Sequence, residues 1–145
     1  MHDRANKRTC IESIKKFTIP PLEFDFTNIY ENYDVADLVF MNGRFEFEQG
    51  EEPICSTVIN EKTWSILTTR NLYTLEGAKK EMHKLSALKF FESGDFKGYS
   101  GQPFVTGYLH FEDDKIIRVF IETGIASMVM IYGIKTMFDE TRVNL

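Results

Sequence analysis

Apolar residues recur at helical spacing near the start of the chain and then change period. Across residues 4–17, Ile11, Ile14 and Phe17 share one side of a helix and charged residues take the other. Pro20-Pro21 ends that helix, because proline has no amide hydrogen and pushes the residue before it out of the helical region. In the acidic and aromatic stretch that follows, Leu22, Phe24 and Phe26 alternate with Glu23 and Asp25. This alternation predicts an extended run along the body of a domain. Residues 1–36 are read as a helix and arm that pack on a domain made by residues 37–145.

From residue 37 the pattern is short strands separated by turn signals. Residues 37–41 and 44–48 face each other across Asn42-Gly43, the pair favoured in two-residue hairpins because both positions take positive φ. Further strands are predicted over 54–60, 63–68, 71–76, 85–91, 104–111 and 115–123. Asp113 and Asp114 mark the last hairpin, and a glycine-rich loop spans 92–103. About seven short strands with close turns make an antiparallel barrel or roll the expected fold, of the α+β class and mainly antiparallel β. The strand–helix alternation of a parallel sheet is missing.

The apolar run at 124–138 is expected to be the closing helix. About fifteen residues at 1.5 Å each reach roughly 22 Å, short of the roughly 30 Å hydrocarbon core of a bilayer. Ser127, Lys135 and Thr136 interrupt it as well. Thr123 is placed to cap it, and Asp139 and Glu140, at the unfavourable end of the helix dipole, are expected to mark its exit. Ala126, Met130, Gly133 and Met137 form one stripe, with Gly133 allowing close approach to a sheet; Ile125, Met128, Val129 and Tyr132 form the next. Ile131, Ile134 and Phe138 remain as a third stripe that a helix plugging a barrel leaves over, and a patch of that kind marks an interaction site. Two covers are available, a second molecule or the arm at 18–33 with Phe24, Phe26, Ile29 and Tyr30. The arm is the cover expected first.

Composition narrows the classes. The 145 residues fit one domain, and 43% apolar residues with 13 Phe supply a real core. A net charge of −5 with no long basic stripe argues against nucleic acid, whose affinity comes largely from Lys and Arg on phosphates. Cys10 and Cys55 lack metal or redox spacing and are expected to be reduced thiols of a cytoplasmic protein. The start of the chain carries no apolar segment of the signal-peptide type. Lys7, Arg8, Lys15 and Lys16 beside Cys10, Ile14 and Phe17 make a weakly basic amphipathic pattern, which Asp3 and Glu12 separate from an organelle presequence.

Within residues 54–138 the pattern resembles bacterial pleckstrin-homology-like domains. In that family a strand ends in an apolar–apolar–Thr–x–x–Arg/Asn–Leu step and returns with an aromatic, as Ile66, Leu67, Thr68, Arg70, Leu72 and Tyr73 do here. The charged turn that follows is matched by residues 76–81, the next strand by His83, Leu85 and Leu88, and the closing helix by 124–138. The resemblance implies a partly open barrel of about seven strands closed by a C-terminal helix. Members that bind phosphoinositides use basic residues in the loop between their first two strands. The equivalent here carries Glu48, Glu51 and Glu52, which would repel a phosphorylated headgroup, so no phosphoinositide membrane binding is expected.

Candidate chemistry is sparse. No His-x-x-x-His or Cys-x-x-Cys spacing points to a metal, and no catalytic residue, metal or cofactor is assigned. Lys79 and Lys80 read as a solvated hairpin tip. The loop at 92–103 offers Asp95, Phe96, Lys97 and Tyr99 as a candidate recognition loop. The expected function is therefore a non-catalytic interaction or scaffold module that binds a protein partner or itself. An inhibitor presenting an acidic surface to a basic partner belongs to the same class. The alternative is a small-molecule or enzymatic site in the barrel mouth, lined by Trp64, Tyr108 and His110.

Overall fold

The computed structural model describes residues 3–20, 23–31, 47–99 and 101–143, with the backbone alone for residues 142 and 143. The hairpin expected at Asn42-Gly43, Leu22, and the boundary at 36/37 lie outside the described residues. In chain order the elements are α1 (Asp3–Phe17), β1 (Thr27–Ile29), β2 (Pro53–Asn60), β3 (Thr63–Thr68), β4 (Asn71–Glu76), β5 (Lys79–Lys84), β6 (Leu88–Glu92), β7 (Phe104–Phe111), β8 (Ile116–Glu122) and α2 (Ser127–Val143). Short 3-10 turns at Leu85–Ala87 and Gly124–Ala126 lead into β6 and α2.

The described strands form two antiparallel sheets, ordered β1-β2-β3-β4-β5 and β6-β7-β8. No pairing among the described residues closes them into one barrel. Between the sheets lies the main core, to which Cys55, Leu67, Leu72, Leu109, Val119 and Ile121 contribute from the strands. The helix pair covers it with Cys10, Ile11 and Ile14 from α1 and Val129, Met130, Ile134 and Met137 from α2. The five-stranded sheet is buried on its other face too, where Tyr30, Trp64, Ile66, Tyr73 and Leu75 form a second cluster. Period-2 alternation on β3 and β4 makes this possible: Trp64 and Ile66 point one way and Leu67 the other.

Four expectations need correction. Residues 79–81, read as part of a charged turn with Lys79 and Lys80 at its tip, belong to strand β5, which runs over Lys79–Lys84 and pairs with β4, and the tip is Gly77-Ala78. Gly77 takes φ +64°, which glycine tolerates without strain, and Lys79 and Lys80 open the returning strand. Secondly, α2 does not end at Phe138 but continues through Asp139 and Glu140 to Val143. A packing partner outweighs the dipole term there. α1 runs antiparallel to α2, with Phe17 stacked on Tyr132 at 4.2 Å between ring centroids, Thr136 Oγ1 donating to Ser13 Oγ at 3.0 Å, and Glu140 close enough for its charge to reach Cys10. Thirdly, Thr123 makes no side-chain capping bond; it donates to Gln102 O at 2.7 Å and so ties the long loop to the entry of α2.

The fourth concerns the cover for α2. The described residues of the arm do not line the third stripe. It becomes an edge strand, with Thr27, Asn28 and Ile29 paired to Thr57, Ser56 and Cys55. It is held by Glu122, which accepts from Asp25 N at 3.1 Å, Phe26 N at 2.7 Å and Thr27 Oγ1 at 2.7 Å. The helix that packs on α2 is α1. Gly133 sits where α2 meets both α1 and the sheet: a Cβ there would stand 2.9 Å from Leu67 Cδ2, 3.2 Å from Cys55 Sγ and 3.6 Å from Ile14 Cδ1. The close approach expected of this glycine is present.

Candidate functional site

Strand β6 is an edge of the three-stranded sheet, and α2 passes beside it. Between them runs a groove of about 420 Å³, lined by Leu88, Phe90 and Phe91 from the strand and Ile131, Ile134 and Phe138 from the helix. Lys89, Lys135 and Asp139 stand at its margins. The third stripe of α2 is thus one wall of a groove. Within it Ile134 is fully buried and belongs to the core, which corrects its reading as a left-over contact; burial against the body of the domain removes it from any flat exposed patch. Ile131 and Phe138 are half-buried and pack on the same core. Phe90 is 49% exposed, so the groove opens to solvent on its strand side. Among the described residues no strand pairs with the outer edge of β6.

Phe24, Phe26 and Tyr30 of the arm do not join this groove. Phe24 packs on the main core, and Phe26 meets Phe104 edge-on at 6.0 Å. Tyr30 is buried in the second cluster, its hydroxyl 2.6 Å from Ser56 Oγ. Their work is to hold the arm to the sheet. In the long loop, Gly98 N donates to Asp95 O at 3.1 Å and Gly124 N to Phe96 O at 2.9 Å, which fastens the loop to the start of α2. Lys97 lies over the Phe96 ring at 6.0 Å, and Tyr99 is 85% exposed.

Trp64, Tyr108 and His110 are not brought together. Trp64 is fully buried in the second cluster, whereas Tyr108 and His110 stand on the outer face of β7. His110 stacks on Phe90 at 4.0 Å and places Nε2 2.8 Å from Glu92 Oε1, although that atom is not aligned for a hydrogen bond. His83 stacks on Phe111 at 4.8 Å, and burial lowers its pKa. No three His, Cys, Asp or Glu residues converge as a metal set among the described residues. Both thiols are buried; burial pushes Cys10 up to about 12 and Cys55 well above its usual range, so neither is a nucleophile.

The acidic loop also behaves differently from the sequence reading. Glu51 is buried and turned inward, away from direct contact with a ligand at the surface. It accepts from Tyr73 Oη at 2.8 Å, from Asn71 Nδ2 at 2.9 Å, from the Thr68 hydroxyl and from Glu48 N at 2.8 Å. Its charge and its bond to Tyr73 reinforce burial in raising the Tyr73 pKa. Arg70 ties the loop to α1: it donates from Nε and Nη2 to Asp3 at 3.0 and 2.8 Å, from Nη1 to Glu48 at 2.9 Å, and from Nη2 to Gln49 O at 2.9 Å. Arg70 matches the resemblance pattern in the sequence, but its partners, 67 and 22 residues away, carry no local signal.

A second groove, about 580 Å³, lies along α1 and faces the ends of β1 and β2. Arg4, Lys7, Arg8 and Lys15 line its helical wall, opposite Glu31 and Glu52. Sequence reading registered the basic pattern of this helix but not the groove, because Glu31 and Glu52 are distant in sequence. Among the described residues no helix is long and apolar enough to cross a membrane. No family model, no curated protein and no solved structure matches the chain.

Proposed function

We propose that this chain is a non-catalytic protein-interaction module, a pleckstrin-homology-like barrel that takes an extended apolar segment of a protein partner between β6 and α2. The observation that carries the reading is the groove itself, an apolar channel beside strand β6, which pairs with β7 on one side and, from Lys89 to Glu92, with no described strand on the other. An added strand satisfies the backbone groups of such an edge, and alternate side chains then enter the pocket beside it. Phe90 and Phe91 on one wall and Ile131 on the other are suited to aliphatic or aromatic anchors. The barrel reading is supported by the order of elements: a β2–β5 meander, a β6–β8 meander, then the closing helix.

Nucleic acid is not a partner in this reading, given the charge of −5, and a phosphoinositide membrane is not either, since Arg70 is committed to Asp3 and Glu48. Two buried reduced cysteines favour a cytoplasmic setting. Selection from a random peptide library on the folded protein tests the proposal. Extended peptides with alternating apolar residues should be recovered, and Ile131→Arg should abolish their binding while leaving the far-UV spectrum unchanged. Peptides that bind Ile131→Arg as well as the parent would overturn it. Light scattering on the parent protein decides whether a second copy of the chain is the occupant.

A further inference from the structure

From the α1 groove we infer a second binding site, for a small soluble polyanion held by Arg4, Lys7 and Arg8. The three cations occupy positions i, i+3 and i+4 of one helix face, where like charges are neighbours and repel. They also sit in the first turns of α1, the end of a helix that favours negative charge. Among the described residues none of the three makes an ion pair, whereas Lys15, Arg70, Lys84 and Arg118 each do. Lys15, farther along the same wall, is already paired with Glu31.

Lys7 is the centre of the argument. Only 7% of the residue is exposed, and its side chain lines the groove. Burial lowers its pKa, and the charge of Glu52 across the groove offsets this only in part. The Lys7 ammonium makes no hydrogen bond or ion pair among the described residues, and Glu52, one carboxylate oxygen of which is buried without a partner, acts on it only through its charge; a bound anion would give the ammonium a direct partner. The exposed Arg4 and Arg8 flank it and offer the planar donor forks that grip carboxylate or phosphoryl oxygens. The three cations exceed Glu52 and Glu12 by one charge, and their three separate donor groups on one wall suit a ligand that presents several anionic oxygens close together; the groove volume fits a small molecule. Tricarboxylates and phosphoryl compounds share that chemistry. The site has no residue in common with the β6–α2 groove.

Titration calorimetry of the full chain with citrate and with pyrophosphate, at ionic strength held constant with sodium chloride, tests the site. We expect saturable binding of at least one anion, weakened by roughly tenfold or more in Lys7→Met and in Arg8→Gln, the loss of one charge-assisted contact. Lys62→Gln, in the β2–β3 turn, should bind as the parent does. Without anion, Lys7→Met should melt at or above the parent temperature, a gain that a purely structural lysine would not give. Citrate alone identifies a carboxylate ligand and pyrophosphate alone a phosphoryl ligand. Binding to phosphoinositide-containing vesicles with no response to either soluble anion would overturn the proposal. So would equal binding by the parent and both groove variants, or no binding of either anion.

Discussion

Replacing Gly133 with alanine puts one methyl group at the point where α2, α1 and the five-stranded sheet converge. On an open helix this change gains about 1 kcal/mol, since alanine orders the backbone more readily than glycine. Here the new Cβ would lie 2.9 Å from Leu67 Cδ2 and 3.2 Å from Cys55 Sγ. Both neighbours are fully buried, so neither can swing into solvent, and the helix must lift instead. Overpacking of this kind costs about 1–3 kcal/mol. The overpacking term wins, leaving a net loss of about 1 kcal/mol, or roughly 2–4 °C in melting temperature for a chain of this size. Gly133→Leu should lose far more, because its branch must enter the space that Ile14 fills. Thermal and urea unfolding of the parent and both variants would measure this. A Gly133→Ala protein more stable than the parent would refute the reasoning, since it would mean that α2 does not approach the sheet as closely as described.

Three further outcomes are expected. The Asp3 pKa falls from 3.8 to about 2, chiefly through its bonds to Arg70, so its stabilisation is complete above the unfolded value and disappears as pH drops from 3.8 toward 2. With Arg70 32% exposed and the pair screened accordingly, the effect is on the order of 1 kcal/mol; urea midpoints should fall more between pH 6 and pH 3 in the parent than in Asp3→Asn, and equal falls would count against the pair. Glu51→Ala removes the buried acceptor shared by Tyr73 Oη, Asn71 Nδ2 and the Thr68 hydroxyl and should cost roughly 3 kcal/mol in chemical denaturation, whereas a loss under about 1 kcal/mol would contradict the inward-facing carboxylate. Cys10 and Cys55 should react with a thiol reagent only through unfolding, so native labelling should be slower than denatured labelling by orders of magnitude; fast labelling of either would place it at the surface.

Local pattern foretold much of this fold. The bounds of β3, β4 and β7 match the expected 63–68, 71–76 and 104–111, because alternation and turn residues act over a few positions. Strand β5 was missed because its sequence, KKEMHK, is polar and exposed, and its pairing with β4 rather than its own composition makes it a strand. The extension of α2 past Phe138 was missed for a similar reason, since only tertiary contact with α1 favours it. At the site, the stripe Ile131, Ile134 and Phe138 was legible as a surplus of apolar area. Its opposite wall was not, because Phe91 of β6 and Ile131 of α2 stand 40 positions apart in the chain. Separation of the same kind hid Glu52 from Lys7, and Asp3 from Arg70.

Strand addition at β6 is the central claim, and backbone hydrogen exchange reads it most directly. Amide exchange should be followed residue by residue with and without a library-selected peptide at saturating concentration. The account predicts new protection concentrated on the outer-edge amides between Lys89 and Glu92, with smaller changes on α2 around Ile131 and none along α1. Protection confined to the long loop at 92–103 or to α1, with β6 exchanging as before, would contradict it.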